Sequence, residues 1–151
     1  GDFVEGTISN CKFYNSGNDA IDVSGSKINI YNVNVDTFGD KGISIGENSY
    51  AKIYSVNIND GQIAIASKDY SKIMGEIVTI NNCSVGLTSY QKKSEYGTST
   101  IDLNSLSISN CIEPFLIEQG SNVKINNNYF EPNINDVKSL LYGNVYGKKS
   151  N

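Results

Sequence analysis

The sequence predicts an all-β fold, a parallel β-helix or solenoid of about five coils with a non-repeating C-terminal cap. Two observations carry that expectation. NDAIDVSGS at Asn18, DKGISIGENS at Asp40, QIAIASKDYS at Gln62 and SVGLTSYQKK at Ser84 begin 22 residues apart, and IEPFLIEQGS follows 28 residues later at Ile112. Within each repeat, short β-branched runs alternate apolar and polar residues, the period-two signature of strands. One such rung cannot bury its apolar side alone, so successive rungs must stack around one continuous core.

Overlaying the repeats divides each rung into three strands. The first places Ile21, Ile43, Ile65, Leu87 and Phe115 in one inward column, with Val23, Ile45, Ser67, Ser89 and Ile117 two residues on. The second is marked by Ile28 and Ile30, Ala51 and Ile53, Ile101 and Leu103, and Val123 and Ile125. The third is marked by Cys11 and Phe13, Val33 and Val35, Val56 and Ile58, Val78 and Ile80, and Leu106 and Ile108. Before the third strand stand Asn10, Asn32, Ser55, Ser105 and Asn127, with Ile77 breaking the series. Amides and hydroxyls at one corner of successive coils suit a ladder that satisfies the turning backbone.

The two ends and one rung depart from the repeat. Residues 1–17 supply only the later strands of a coil, so the chain reads as a single domain (1–151) from the C-terminal part of a longer protein. An upstream region of the same polypeptide, or self-association through that open coil, would then cover the exposed strand edge. Residues 131–151 lose the repeat, and Val137, Leu140, Leu141, Tyr142 and Val145 are expected to close the last coil. The six extra residues of the fourth rung fall around SEYGTST, where a loop should bulge beside YQKK.

Composition narrows function. The chain has no Arg, His or Trp, which removes the usual imidazole base, the His-ligated metal and the guanidinium clamp. A net charge of -4 with scattered Lys speaks against nucleic acid, and no apolar run reaches membrane-spanning length. Cys83 and Cys111 occupy the same end of consecutive coils, within bridging range, and read as stacked free thiols, with a disulfide as the alternative. Cys11 stands alone, and none of the cysteine spacings matches a zinc site.

The outer side of the first strands is the candidate site. Its outward residues are expected to be Ala20, Gly42, Ala64, Gly86 and Pro114, then Asp22, Ser44, Ala66, Thr88 and Leu116, small enough to leave a shallow groove. The following turns add Glu47, Lys68, Asp69, Tyr90, Gln91, Lys92 and Lys93, and the inserted loop adds Glu95 and Tyr96. Rungs about 4.8 Å apart let residues of neighbouring coils act together on a chain laid along the axis. The expected contacts are Asp22, Glu47, Lys68, Tyr90, Lys92 and Tyr96, binding or presenting a polysaccharide. Glu47 beside Lys68 should keep that lysine charged, positioning a uronate or sulfate rather than removing a proton. One alternative is a lyase or epimerase with Lys68 as base and Asp69 as a second candidate; another is a rigid assembly module without a ligand. No cofactor is expected beyond a calcium ion, which Asp22, Glu47 and Asp69 could hold.

GNDAIDV, GDKGISIG and the stacked coils resemble the right-handed parallel β-helix (pectin-lyase-like) superfamily of pectin and pectate lyases, polygalacturonases and polysaccharide epimerases. That resemblance implies a right-handed helix and an exported or surface-associated bacterial protein. The catalytic motifs do not carry over: Asp19 is followed by Ala20 where a polygalacturonase has paired acids, and Lys41 stands before Gly42 where it has Gly-His-Gly. The pectate-lyase Arg base has no counterpart. GISIGENS from Gly42, SKDYS from Ser67 and YQKKSEYG from Tyr90 are similar to C-terminal β-helix regions of bacterial proteins related to spore-coat kinases, a likeness that implies no settled activity.

Overall fold

The computed structural model describes residues 4–143. Ten strands are followed by one short helix: β1 (Val4–Ser16), β2 (Ile21–Ser24), β3 (Ser26–Phe38), β4 (Lys41–Gly46), β5 (Tyr50–Lys68), β6 (Lys72–Tyr90), β7 (Thr100–Ser109), β8 (Glu113–Ile117), β9 (Asn122–Ile125), β10 (Asn128–Phe130) and α1 (Val137–Leu141). All strand pairs are parallel except β10 with β9, and the chain winds into a β-solenoid of about six turns. The first-strand column has five members, as expected. The second-strand column has a sixth, because β1 contributes a second and third strand.

The register follows the repeat. Ile21, Ile43, Ile65, Leu87 and Phe115 are successive partners, as are Cys11, Val33, Val56, Val78 and Leu106. These columns and the second-strand residues Ile30, Ile53, Ile73, Ile101 and Val123 form one core. The 72–76 rung, in which no second-strand pair stood out, has Ile73 inward and Gly75 beside it. A Cβ on Gly75 would lie 2.5 Å from the Ile53 side chain, which occupies the space instead.

Every coil turns through residues in the left-handed region. Asn10, Asn32, Ser55, Ile77, Ser105 and Asn127 have φ of 54°, 56°, 56°, 59°, 53° and 67°, and a second corner uses Asn15, Thr37, Asp60, Asn82 and Asn110. Asn tolerates this conformation well and β-branched residues poorly, so Thr37 and Ile77 are strained corners, Ile77 an exposed apolar one. Side-chain ladders link coils at both corners: Asn32 to Asn10, Asn82 to Asp60, and Asn110 to Asn81. A third ladder escaped sequence reasoning. Ser49 donates its amide to Ser71 Oγ and bonds Gly46 O through its own hydroxyl, and Ser99 and Ser121 continue the column below with bonds to Ser67 O and Ser89 O.

The end of the core is closed by the β9–β10 hairpin, whose Phe130 lies 4.6 Å, centroid to centroid, from Phe115. The segment expected to close it begins on the last coil, where Ile134 bridges Glu118 in parallel and the amides of Asn133 and Ile134 bond Ile117 O, and then turns onto the flank. Val137 and Leu141 pack on the flank of the solenoid, and Val145 lies outside the described residues. Cys11, Cys83 and Cys111 are free, and burial pushes the Cys83 thiol up to about 12.

Candidate functional site

The first strands bend just before their core residue, and this decides what faces outward. The ladder pairs Lys41 with Ile63 and Ile43 with Ile65 but skips the residue between. Two successive residues therefore turn inward. Ala64 is in the main core, Ala20 packs against it, and a Cβ on Gly42 or Gly86 would point at Ile58 or Ile108. Ala20, Gly42, Ala64 and Gly86 are thus not the floor of an outer groove; Lys41, Ile63, Val85 and Glu113 take that position.

The next column faces outward as expected but is mostly covered. Asp22 is exposed, whereas Ser44, Ala66, Thr88 and Leu116 are buried. Ile63, Ala66, Val85, Tyr90 and Leu116 form a second apolar cluster with Val137 and Leu141, joined by Ile134 and Leu140. Residues 131–142 thus lie along the flank as a strap over the groove. Glu118 anchors it, accepting the amide of Gln91 on one carboxylate oxygen (2.8 Å) and that of Val137 on the other (3.1 Å). Asn133 adds bonds to Ile117 N and Phe115 O, and Asp136 caps α1 through Ser139. The hydroxyls of Ser44 and Thr88, beneath the covered face, have no hydrogen-bond partner.

At the edge of the strap, three lysines meet a tyrosine pair. Lys41 Nζ and Lys92 Nζ lie 5.4 and 5.2 Å from the Tyr142 ring centroid, within cation–π range, and the Tyr90 and Tyr142 hydroxyls are 3.3 Å apart. Lys41 is paired with Asp40 at 3.1 Å. Lys68 pairs in register with Tyr90, and its stem lies where a Cβ on Gly46 would stand, 2.9 Å from Cε. Among the described residues, neither Lys68 nor Lys92 has an ion-pair partner.

The electrostatics follow from that crowding. Burial pushes Lys68 below the ordinary lysine value, and the Lys41 and Lys92 ammonium groups push it further. For Tyr142, burial acts upward, but the Tyr90 hydrogen bond and the three lysines outweigh it and pull the phenol down. Burial, then Tyr142 itself, holds Tyr90 well above its usual value. The expectation that Glu47 would keep Lys68 high is overturned: the Glu47 carboxylate binds Lys93 instead, and it is first that hydrogen bond, then the charge, that lowers its own pKa.

The other expected residues scatter. Tyr90 is fully buried under the strap, and Tyr96 packs edge-on against Tyr70 at 6.0 Å. Asp69 is buried, its Oδ1 accepting the amides of Lys92 (2.7 Å) and Lys93 (2.9 Å), so it shapes the inserted loop. Asp22, Glu47 and Asp69 do not converge, and no group of three metal-ligating side chains forms among the described residues. Between the loop and α1 lies an open depression of about 430 Å³ lined by Lys92, Lys93, Thr98, Glu118, Asp136 and Lys138. Sequence reasoning missed Lys41, Glu118 and Tyr142 as parts of this region. Only a path for residues 131–142 would have found them. Compared with protein families, curated proteins and solved structures, the chain has no match.

Proposed function

We propose that this solenoid binds an acidic polysaccharide on its flank, where the strap meets the inserted loop. One observation carries the reading: Lys41, Lys68 and Lys92 crowd around Tyr142, and two of them lack a carboxylate. Like charges held together in a partly buried site favour an anion, and a uronate or sulfate group supplies one. Lys93 and Lys138 line the adjoining depression, so five of the chain's twelve cationic side chains stand on this flank of a protein with net charge -4. Lys92 borders both, which lets a chain of sugars run from the depression to the lysine cluster. The likeness of the coils to polysaccharide-acting β-helices agrees with this ligand class.

The lowered pKa of Lys68 favours a second reading, a lyase or epimerase in which its neutral amine removes a proton. One experiment separates the two. Parent, Lys68→Ala and Lys92→Ala proteins are titrated with polygalacturonate by calorimetry and assayed for unsaturated uronate by ultraviolet absorbance. Salt-sensitive binding that weakens in both variants, without product, is the expected result. Product formed by the parent and lost in Lys68→Ala would establish the lyase reading, and absence of binding would overturn both.

A further inference from the structure

Among the described residues no segment covers the outer face of the second strands, and its chemistry differs from that of the flank. Tyr31 and Tyr54 are direct partners on adjacent rungs and are 41% and 51% exposed. Tyr50, half-buried two outward columns away, is held by a hydrogen bond from its hydroxyl to Met74 Sδ (3.2 Å). Two shallow depressions on this face share Tyr50 and Lys52, and Tyr54 lines the second of them. One, of about 310 Å³, also has Glu5, Lys27 and Asn29; the other, of about 370 Å³, also has Tyr54, Glu76, Asp102 and Asn104.

The charges on this face are mixed and unspent. Lys27 and Lys52 stand among Glu5, Glu76 and Asp102, and among the described residues none of the five forms an ion pair. Nor do their side chains bond one another, in contrast to the amide ladders at the corners. Such a surface offers donors and acceptors in near balance, a poor match for a polyanion or polycation and a good one for a ligand rich in hydroxyls. The tyrosine rings supply flat, rigid apolar platforms at low entropic cost.

We infer that this face binds a neutral glycan chain laid along the solenoid axis, its sugar rings on Tyr31 and Tyr54 and its hydroxyls on Lys27, Lys52, Glu76 and Asp102. Rungs about 4.8 Å apart repeat the contacts along the chain. The site is independent of the lysine cluster. The protein has no Trp and ten Tyr, so an emission change on binding that is lost in Tyr31→Ala and Tyr54→Ala reports on this face.

Cellohexaose, xylohexaose and mannohexaose are titrated into the parent and into Tyr31→Ala, Tyr54→Ala and Lys68→Ala, with tyrosine emission and calorimetry as readouts. At least one sugar should bind the parent, each tyrosine variant should bind it about tenfold or more weakly, as for an aromatic hot spot, and Lys68→Ala should be unchanged. Unaltered thermal unfolding of the variants excludes a folding defect. Binding by none of the three sugars, binding that survives both tyrosine replacements, or a dimer in sedimentation that Tyr54→Ala dissolves would each overturn the assignment. Loss of polygalacturonate binding alone bears on the flank and leaves this face intact.

Discussion

The outer faces of the first and second strands are built from the same stacked rungs, yet one is covered and the other open. On the first, Ile63, Ala66, Val85 and Leu116 present an apolar strip that the strap buries together with Tyr90. On the second, the corresponding outward columns carry Lys27, Tyr50 and Lys72, Asn29, Lys52 and Met74, and Tyr31, Tyr54 and Glu76, and nothing among the described residues covers them. A sheet face whose outward residues are apolar must be covered, whereas one whose outward residues are polar and aromatic stays wet and free for ligand. The contrast also explains the odd electrostatics. Covering the first face forces Lys68 to share a partly buried edge with Lys41 and Lys92, while the lysines of the second face remain in solvent.

The sharpest way to break this comparison is to empty the covered face. Tyr90→Ala removes a fully buried ring between the sheet and the strap and should cost about 3–5 kcal/mol, while Tyr54→Ala on the open face should stay within about 0.5 kcal/mol. Urea unfolding of both variants checks this; similar losses would mean that the strap does not stabilise the fold. Next comes the anchor. Glu118→Ala leaves the amides of Gln91 and Val137 without an acceptor and should cost about 1.5–3 kcal/mol, with faster hydrogen exchange confined to the strap and the inserted loop. Uniform exchange across all coils would contradict a separately docked strap.

A smaller, opposite effect is expected at the corner beside the open face. Ile77→Asn relieves a β-branched residue at φ 59° and should raise stability by about 1 kcal/mol. A loss in thermal unfolding would show that Ile77 makes a contact worth more than its strain. The smallest effect concerns charge. Lys68 has a lowered folded-state pKa, so its protonated form destabilises the fold below that value, and the penalty fades as pH rises toward the unfolded value of 10.5. Lys68→Met should therefore be more stable than the parent near neutral pH, by a margin that shrinks as pH approaches 10.5. A margin that grows with pH would place a carboxylate beside Lys68 after all.

Pieces of this comparison were written in the repeats. IYNVNV at Ile30 and IYSVNI at Ile53 put Tyr31 and Tyr54 one rung apart at an outward position, so that pair was available from spacing alone. Lys68 and Lys92 were found for the same reason. The loss of the groove was not visible, because Ala66 and Thr88 look alike whether water or a helix lies over them. The inward turn at Gly42 and Ala64 also breaks strict alternation, and a small residue at such a bend gives no sign of its direction.

The rung was legible in the repeat: its strands, its register and its corners. Each depends on local backbone chemistry and on a periodicity that repeats the same choice in every coil. The path of residues 131–142, and with it which tyrosine is buried and which lysines go unpaired, came from packing in three dimensions. That segment has no repeat to constrain it. Its place comes from long-range contacts of Val137 and Leu141 with rungs formed far earlier in the chain, a match of surfaces that exists only once the solenoid is built.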